Sequence, residues 1–117
     1  SYLGKRLKGF KYAIRGAWWL LKNEHSVQVQ AVIACAITIA GFYYQISSTE
    51  WILQILIIGL VISIEGINTA IEEIADFIHP EHHTKIGLIK DLAAGAVFIL
   101  AVAAAIVGCI IYYPKIF

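Results

Sequence analysis

The 117 residues are 60% hydrophobic and only 15% charged, an apolar share above the rough half of soluble domains, so water is not the main solvent expected for this chain. The net charge of +1 hides an uneven distribution: charges cluster in the first 24 residues and between Glu65 and Asp91, and two long stretches carry none. Cys35 and Cys109 sit in separate apolar stretches, which argues against a disulfide or thiolate metal pair.

The opening residues alternate basic and large apolar side chains with no small-residue cleavage site, so no cleavable signal is expected. Wound at about 100° per residue, Leu3, Leu7, Phe10, Ile14, Ala17, Trp18 and Leu21 share one helical face, while Lys5, Lys8, Lys11, Arg15 and Lys22 lie off it. Residues 1–23 are therefore expected as an amphipathic surface helix at the boundary of acyl chains and anionic headgroups. Arg6, near the apolar edge, must snorkel. Residues 27–46 carry no charge, and a helix of that length rises about 30 Å, enough to cross a hydrocarbon core. Ser47, Ser48, Thr49 and Glu50 read as a short polar turn, after which Trp51 opens the second span at interface depth.

That second span, 51–78, is apolar only as far as Ile64 and then continues in helical pattern through Glu65-Gly66-Ile67-Asn68-Thr69-Ala70-Ile71-Glu72-Glu73 to Ile78, before Pro80. Residues 79–87 read as a loop and 88–113 as the third span, with an uncharged run from Leu92 to Tyr113. The expected fold is thus all-α and integral to the membrane: one surface helix and three transmembrane helices in a single domain. Of the nine Lys and Arg residues, six precede the first span, two lie between the second and third, and only Lys115 follows. This bias places the N-terminal helix and the 79–87 loop on the cytoplasmic face.

Glu65, Asn68, Glu72 and Asp76 are spaced i, i+3, i+7 and i+11 and share an arc of roughly 80° on one helix, with Glu73 further round. Counted from Trp51 at 1.5 Å per residue, Glu65 lies about 21 Å in and Glu72 about 31 Å in, across a core of about 30 Å. Carboxylates below the interface cost on the order of 2.5 kcal/mol or more each and usually face other helices at functional sites. Glu24, the pair Lys90 and Asp91, and the loop residues Glu81, His82 and His83 fall on the same membrane side. Carboxylates with open positions are the oxygen ligands that Mg²⁺ takes while bridging phosphates, and Lys offers a point charge to phosphate. Glu65, the deepest acid, suits a proton acceptor for a hydroxyl at headgroup depth. The chemistry these groups favour is metal-assisted phosphoryl transfer from a soluble nucleotide to a membrane-embedded alcohol. No P-loop or protein-kinase signature is present, so the nucleotide site is expected to be of another kind.

The chain resembles the small prokaryotic diacylglycerol kinases, a family that includes undecaprenol kinases. The resemblance runs over nearly the whole chain: Phe10 to Gly16, Asn23-Glu24, Glu65-Gly66-Ile67-Asn68-Thr69-Ala70-Ile71-Glu72 with Asp76, then Lys90-Asp91 and Ala93-Ala94-Gly95-Ala96. It implies that Glu65 is the catalytic base, with Asn68 beside it polarising the reacting groups. It implies Glu24 and Glu72 as the acids holding Mg²⁺ on ATP. Tyr12, Asp76, Glu81, His83, Lys90 and Asp91 match its nucleotide-side positions, with Lys90 near phosphates. It further implies a homotrimer with active sites shared between protomers. The expected product is phosphatidic acid from diacylglycerol, with undecaprenyl phosphate from undecaprenol as the alternative. Gln30 stands where some diacylglycerol kinases place an acid, and no basic residues directly follow Glu24 as in the undecaprenol branch, so the acceptor stays open.

Three rival readings have distinct signatures. His79, His82, His83 and Glu81 are donor types that zinc takes, although a tight loop rarely turns all of them inward. A proton conductor would also carry intramembrane acids, but Trp51 to Ile64 offers only Gln54 and Ser63 as polar side chains. A non-catalytic subunit holding anionic lipid explains the basic N-terminus and leaves the acids without a purpose.

Overall fold

Four helices, α1 (Tyr2–Asn23), α2 (His25–Tyr43), α3 (Ser48–Ile78) and α4 (Thr84–Ile116), account for nearly the whole chain in the computed structural model, which describes residues 1–117. There is no strand, and α2, α3 and α4 are each long and apolar enough to cross a membrane. Only nine of 117 residues are buried, while Phe42, Leu56, Phe98 and Ile99 are all exposed apolar side chains. Such an outer surface is stable only against hydrocarbon or further protein.

Local chemistry sets each boundary. The Ser1 hydroxyl accepts the Gly4 N–H at 3.1 Å and starts α1. Glu24 then takes an extended conformation (φ −96°, ψ 116°), donating its N–H to the Leu20 carbonyl and accepting the Gln28 N–H at its own. One residue therefore separates α1 from α2, and the Gln28 side chain braces the break by donating to the Lys22 carbonyl at 3.0 Å. The first span begins at His25 rather than at 27 and ends at Tyr43. Beyond it the Ile46 N–H returns to the Gly41 carbonyl, and Trp51 packs over Gly41, where a Cβ would stand 2.7 Å from its ring.

The polar turn is shorter than the sequence implies. Ser47 caps α3, its hydroxyl accepting the Glu50 N–H at 3.2 Å while Glu50 accepts the Ser47 N–H at 2.9 Å. This reciprocal capping box draws Ser48, Thr49 and Glu50 into the first helical turn. At the far end α3 stops at Ile78, since the residue before Pro80 is sterically kept out of helical conformation. The following loop is only His79 to His83, because the His83 ring accepts the Lys85 N–H at 3.0 Å and caps α4 four residues before the expected span start. Pro114 does not end α4. It removes a single donor in the last turn, and Lys115 anchors that turn by donating to Glu50 at 2.8 Å and to the Ile111 carbonyl at 3.1 Å.

The spans pack as a three-helix bundle with α3 central, in longest contact with α4 and shorter contact with α2. At the Glu50 end the Tyr112 hydroxyl donates to the buried Gln54 at 2.5 Å and lies 3.2 Å from the Ile37 carbonyl, which also accepts from Gln54 at 3.3 Å. This node joins all three spans and occupies the only polar side chain that α3 buries in the half nearer Ser48. The molecule measures 50 × 45 × 21 Å. Three packed helices of about 10 Å diameter do not fill 45 Å, and α1, with no buried residue, supplies the remainder as a projecting arm.

Candidate functional site

The acids and amides of α3 stand where the pattern of the sequence put them, on one face rising toward the α3–α4 loop. Glu65 is the deepest: it is 7% exposed, and its carboxylate accepts no hydrogen bond from the protein. Thr69, one turn on, is also buried and turns its hydroxyl to the Glu65 backbone carbonyl at 3.1 Å, so it does not relieve the carboxylate. Asn68 donates to Glu72 at 3.2 Å, and its side-chain oxygen is buried without a partner. One further turn on, Asp76 pairs with Lys90 of α4 at 2.5 Å, both side chains partly exposed. The ladder thus grades from buried and unpartnered at Glu65 to solvated and charge-paired at Asp76.

The buried amide oxygen of Asn68 lacks a partner, an unmet polar cost on the order of 1–3 kcal/mol, and about a turn away the carboxylate of Glu65 is engaged by no protein group. Both groups can accept a hydrogen bond, and the carboxylate can also accept a proton. A hydroxyl entering at this depth would satisfy them, whereas hydrocarbon would not.

Glu24 occupies the α1–α2 break, half-buried, its carboxylate engaged by no side chain and capping nothing. The break is brought against α3 by Leu20, one turn earlier, which lies over Gly66. The other expected residues are less gathered. Tyr12 is 60% exposed on the projecting arm, where its ring sits under the Arg15 guanidinium at 5.5 Å. Asp91 is exposed and, unlike its neighbour Lys90, makes no ion pair. Glu81 contributes only its backbone carbonyl, which accepts from His79 at 2.7 Å, and His83 spends its ring nitrogen on the α4 cap while packing edge-on against His79. His79 and His83 thus shape the loop, and the loop histidines and Glu81 do not converge as ligands around a cation.

No three acidic, histidine or cysteine side chains meet at a point in one chain. The donors one chain offers suit the sparse ligation typical of Mg²⁺, which uses one or two carboxylates and completes its shell with water and phosphate oxygens. Glu72, with one oxygen held by Asn68, and the unengaged Glu24 are donors of that kind. Sequence reasoning did not single out Thr69, Leu20 or the packing role of Gly66. The small residue within the Glu65-Gly66-Ile67-Asn68 run was the available signal for the last.

The family model described as prokaryotic diacylglycerol kinase matches residues 11–112. An undecaprenol kinase of Bacillus subtilis is 41% identical over 114 residues, covering 97% of this chain and 93% of its own. A diacylglycerol kinase of Haemophilus influenzae is 31% identical over 104 residues, covering 88% of each chain. The diacylglycerol kinase of Escherichia coli K12 is 29% identical over 100 residues, covering 86% and 80%.

Proposed function

We propose, from the premise that this chain belongs to the prokaryotic diacylglycerol kinase family and is a membrane lipid kinase that uses ATP, that its acceptor is undecaprenol and that Glu65 is the base of the transfer. The acceptor order expected from the sequence is thereby reversed. The relative named undecaprenol kinase shares 41% of residues, against 31% and 29% for two named diacylglycerol kinases.

The single observation carrying the mechanism is Glu65, a residue only 7% exposed whose carboxylate no protein group engages. It takes the proton of the lipid hydroxyl as that oxygen bonds to the γ-phosphorus of ATP; the bond from γ-phosphorus to the bridging oxygen breaks, and ADP leaves with that electron pair. Asn68 orients the hydroxyl through its free amide oxygen and holds Glu72 through its amide nitrogen. Glu24 and Glu72 are the residues that would hold Mg²⁺. When bound, the ion neutralises charge on the ATP phosphates. Lys90, steered by Asp76 across the α3–α4 interface, offers an ammonium to phosphate. Asp91, Glu81, His83 and Tyr12 form the outer nucleotide side in this reading, in an assembly that also draws on a neighbouring protomer.

The homotrimer with shared sites is supported by the small buried core of one protomer and by the exposure of Tyr12 and Asp91, which no side chain of the ladder engages. The cytoplasmic placement of α1 and the α3–α4 loop, at a bacterial inner membrane, is supported by the Lys and Arg bias and by the access that ATP requires. Acceptor identity is tested by measuring kcat/KM for undecaprenol and diacylglycerol in the same mixed micelles. A higher value for undecaprenol is expected, and the opposite order would return diacylglycerol as the substrate.

A further inference from the structure

We propose that Gly66 is a positioning residue: its missing side chain admits Leu20 against α3, and this contact sets where Glu24 stands relative to Glu65, Asn68 and Glu72. The inference rests on the roles assigned above to Glu24 and Glu72. Along α1 every apolar side chain is exposed except Leu20, so the arm has little else to fix its place on α3. A Cβ at Gly66 would lie 2.8 Å from Leu20 Cδ1 and 4.0 Å from Cδ2. Nothing comparable crowds Gly9, Gly16, Gly59, Gly95 or Gly108. Leu20 is coupled to the acid, since its carbonyl accepts the Glu24 N–H at 2.9 Å. On the α3 side Gly66 adjoins buried Glu65 and lies within a turn of Asn68 and Thr69. The contact therefore joins the residue that turns the chain at Glu24 to the centre of the acid ladder.

Alanine is the better helix former, so in a helix without this contact Gly66→Ala should be neutral or stabilising. Here the added methyl must be relieved in one of two ways. Either Leu20 turns to another rotamer, leaving α1 in place, or α1 lifts and carries Glu24 with it. α1 buries no residue that would hold it in place, and the proposal is that α1 moves.

The test uses the full chain in micelles with two readouts. Spin labels at Lys8 and Ile74, both exposed, report the α1–α3 distance in a background of Cys35→Ala and Cys109→Ala, labelled chains being diluted into unlabelled ones. The Mg²⁺ concentration for half-maximal transfer reports the acids. Gly66→Ala should lengthen the distance and raise that concentration on the order of tenfold or more, the scale on which ångström displacements act. Adding Leu20→Ala to the same chain should reverse both. If Gly66→Ala does not assemble, Leu20→Phe presses the same contact from the other side and should give the same two changes. An unchanged distance, or a change that Leu20→Ala does not reverse, overturns the contact. A reversible distance change with constant Mg²⁺ dependence overturns the positioning role. Glu24→Gln and Glu72→Gln then locate the fault: if they too leave Mg²⁺ dependence unchanged, the metal assignment itself has failed.

Discussion

Glu65 and Asn68 show what the sequence could and could not disclose about single side chains. Their spacing placed both on one helical face, and depth counted from Trp51 put Glu65 inside the membrane. Their lack of partners depends on what the other helices bring alongside, which no spacing reports: Thr69 could have bonded the Glu65 carboxylate and instead bonds its backbone. Glu65→Gln keeps the shape and removes the proton acceptor. Transfer is expected to fall at least roughly 10²-fold, the lower end of what a general base contributes, with ATP binding retained; rapid filtration with labelled phosphate measures it. Glu72→Gln and Glu24→Gln should each raise the Mg²⁺ needed for half-maximal rate, read by titration at fixed ATP, and constant Mg²⁺ dependence in both would remove them as ligands. The exposed loop residues His83 and Glu81 were nominated through the resemblance, and the structure gives His83 a capping task that a charge pattern cannot reveal.

Helix existence was readable because uncharged runs of bilayer length have few other uses, while helix ends were not, because caps decide them. Ser47 with Glu50 extends α3 backward, His83 extends α4 backward, and Lys115 carries α4 past Pro114. Each is a side-chain contact, two of them local and one reaching 65 residues along the chain. The Gln54–Tyr112–Ile37 node lay still further from view: Gln54 reads in sequence as a lone polar residue in an apolar span, and only tertiary packing joins it to Tyr112. Tyr112→Phe leaves the buried Gln54 oxygen without its donor. A loss of about 1 kcal/mol of stability is expected, near the average for intramembrane hydrogen bonds, with transfer activity preserved because the node lies at the bundle end remote from Glu65. Reversible unfolding in mixed micelles checks the first part, and a strong loss of transfer in the folded variant would show that this end of the bundle also serves the reaction.

At the scale of the molecule, one chain supplies an arm, a bundle and an acid ladder, but too little buried surface to hold them without lipid or partners. If sites are shared between protomers, chains carrying Glu65→Gln and chains carrying Asp91→Asn should recover activity when co-assembled, since some mixed interfaces then contain both native acids. Activity no greater than the sum of the separate variants would place each site within one protomer. The central claim is that the ladder on α3 transfers phosphate from ATP to a lipid hydroxyl with Glu65 as base. Its most direct test is labelled-phosphate transfer by the purified protein to undecaprenol and diacylglycerol offered together, beside Glu65→Gln under identical conditions. Labelled lipid phosphate from the native chain, undecaprenyl phosphate in excess, and none from a Glu65→Gln protein that still binds Mg-ATP is the predicted result. Undiminished transfer by Glu65→Gln, or no transfer to either lipid by folded native protein with Mg²⁺ present, would contradict it.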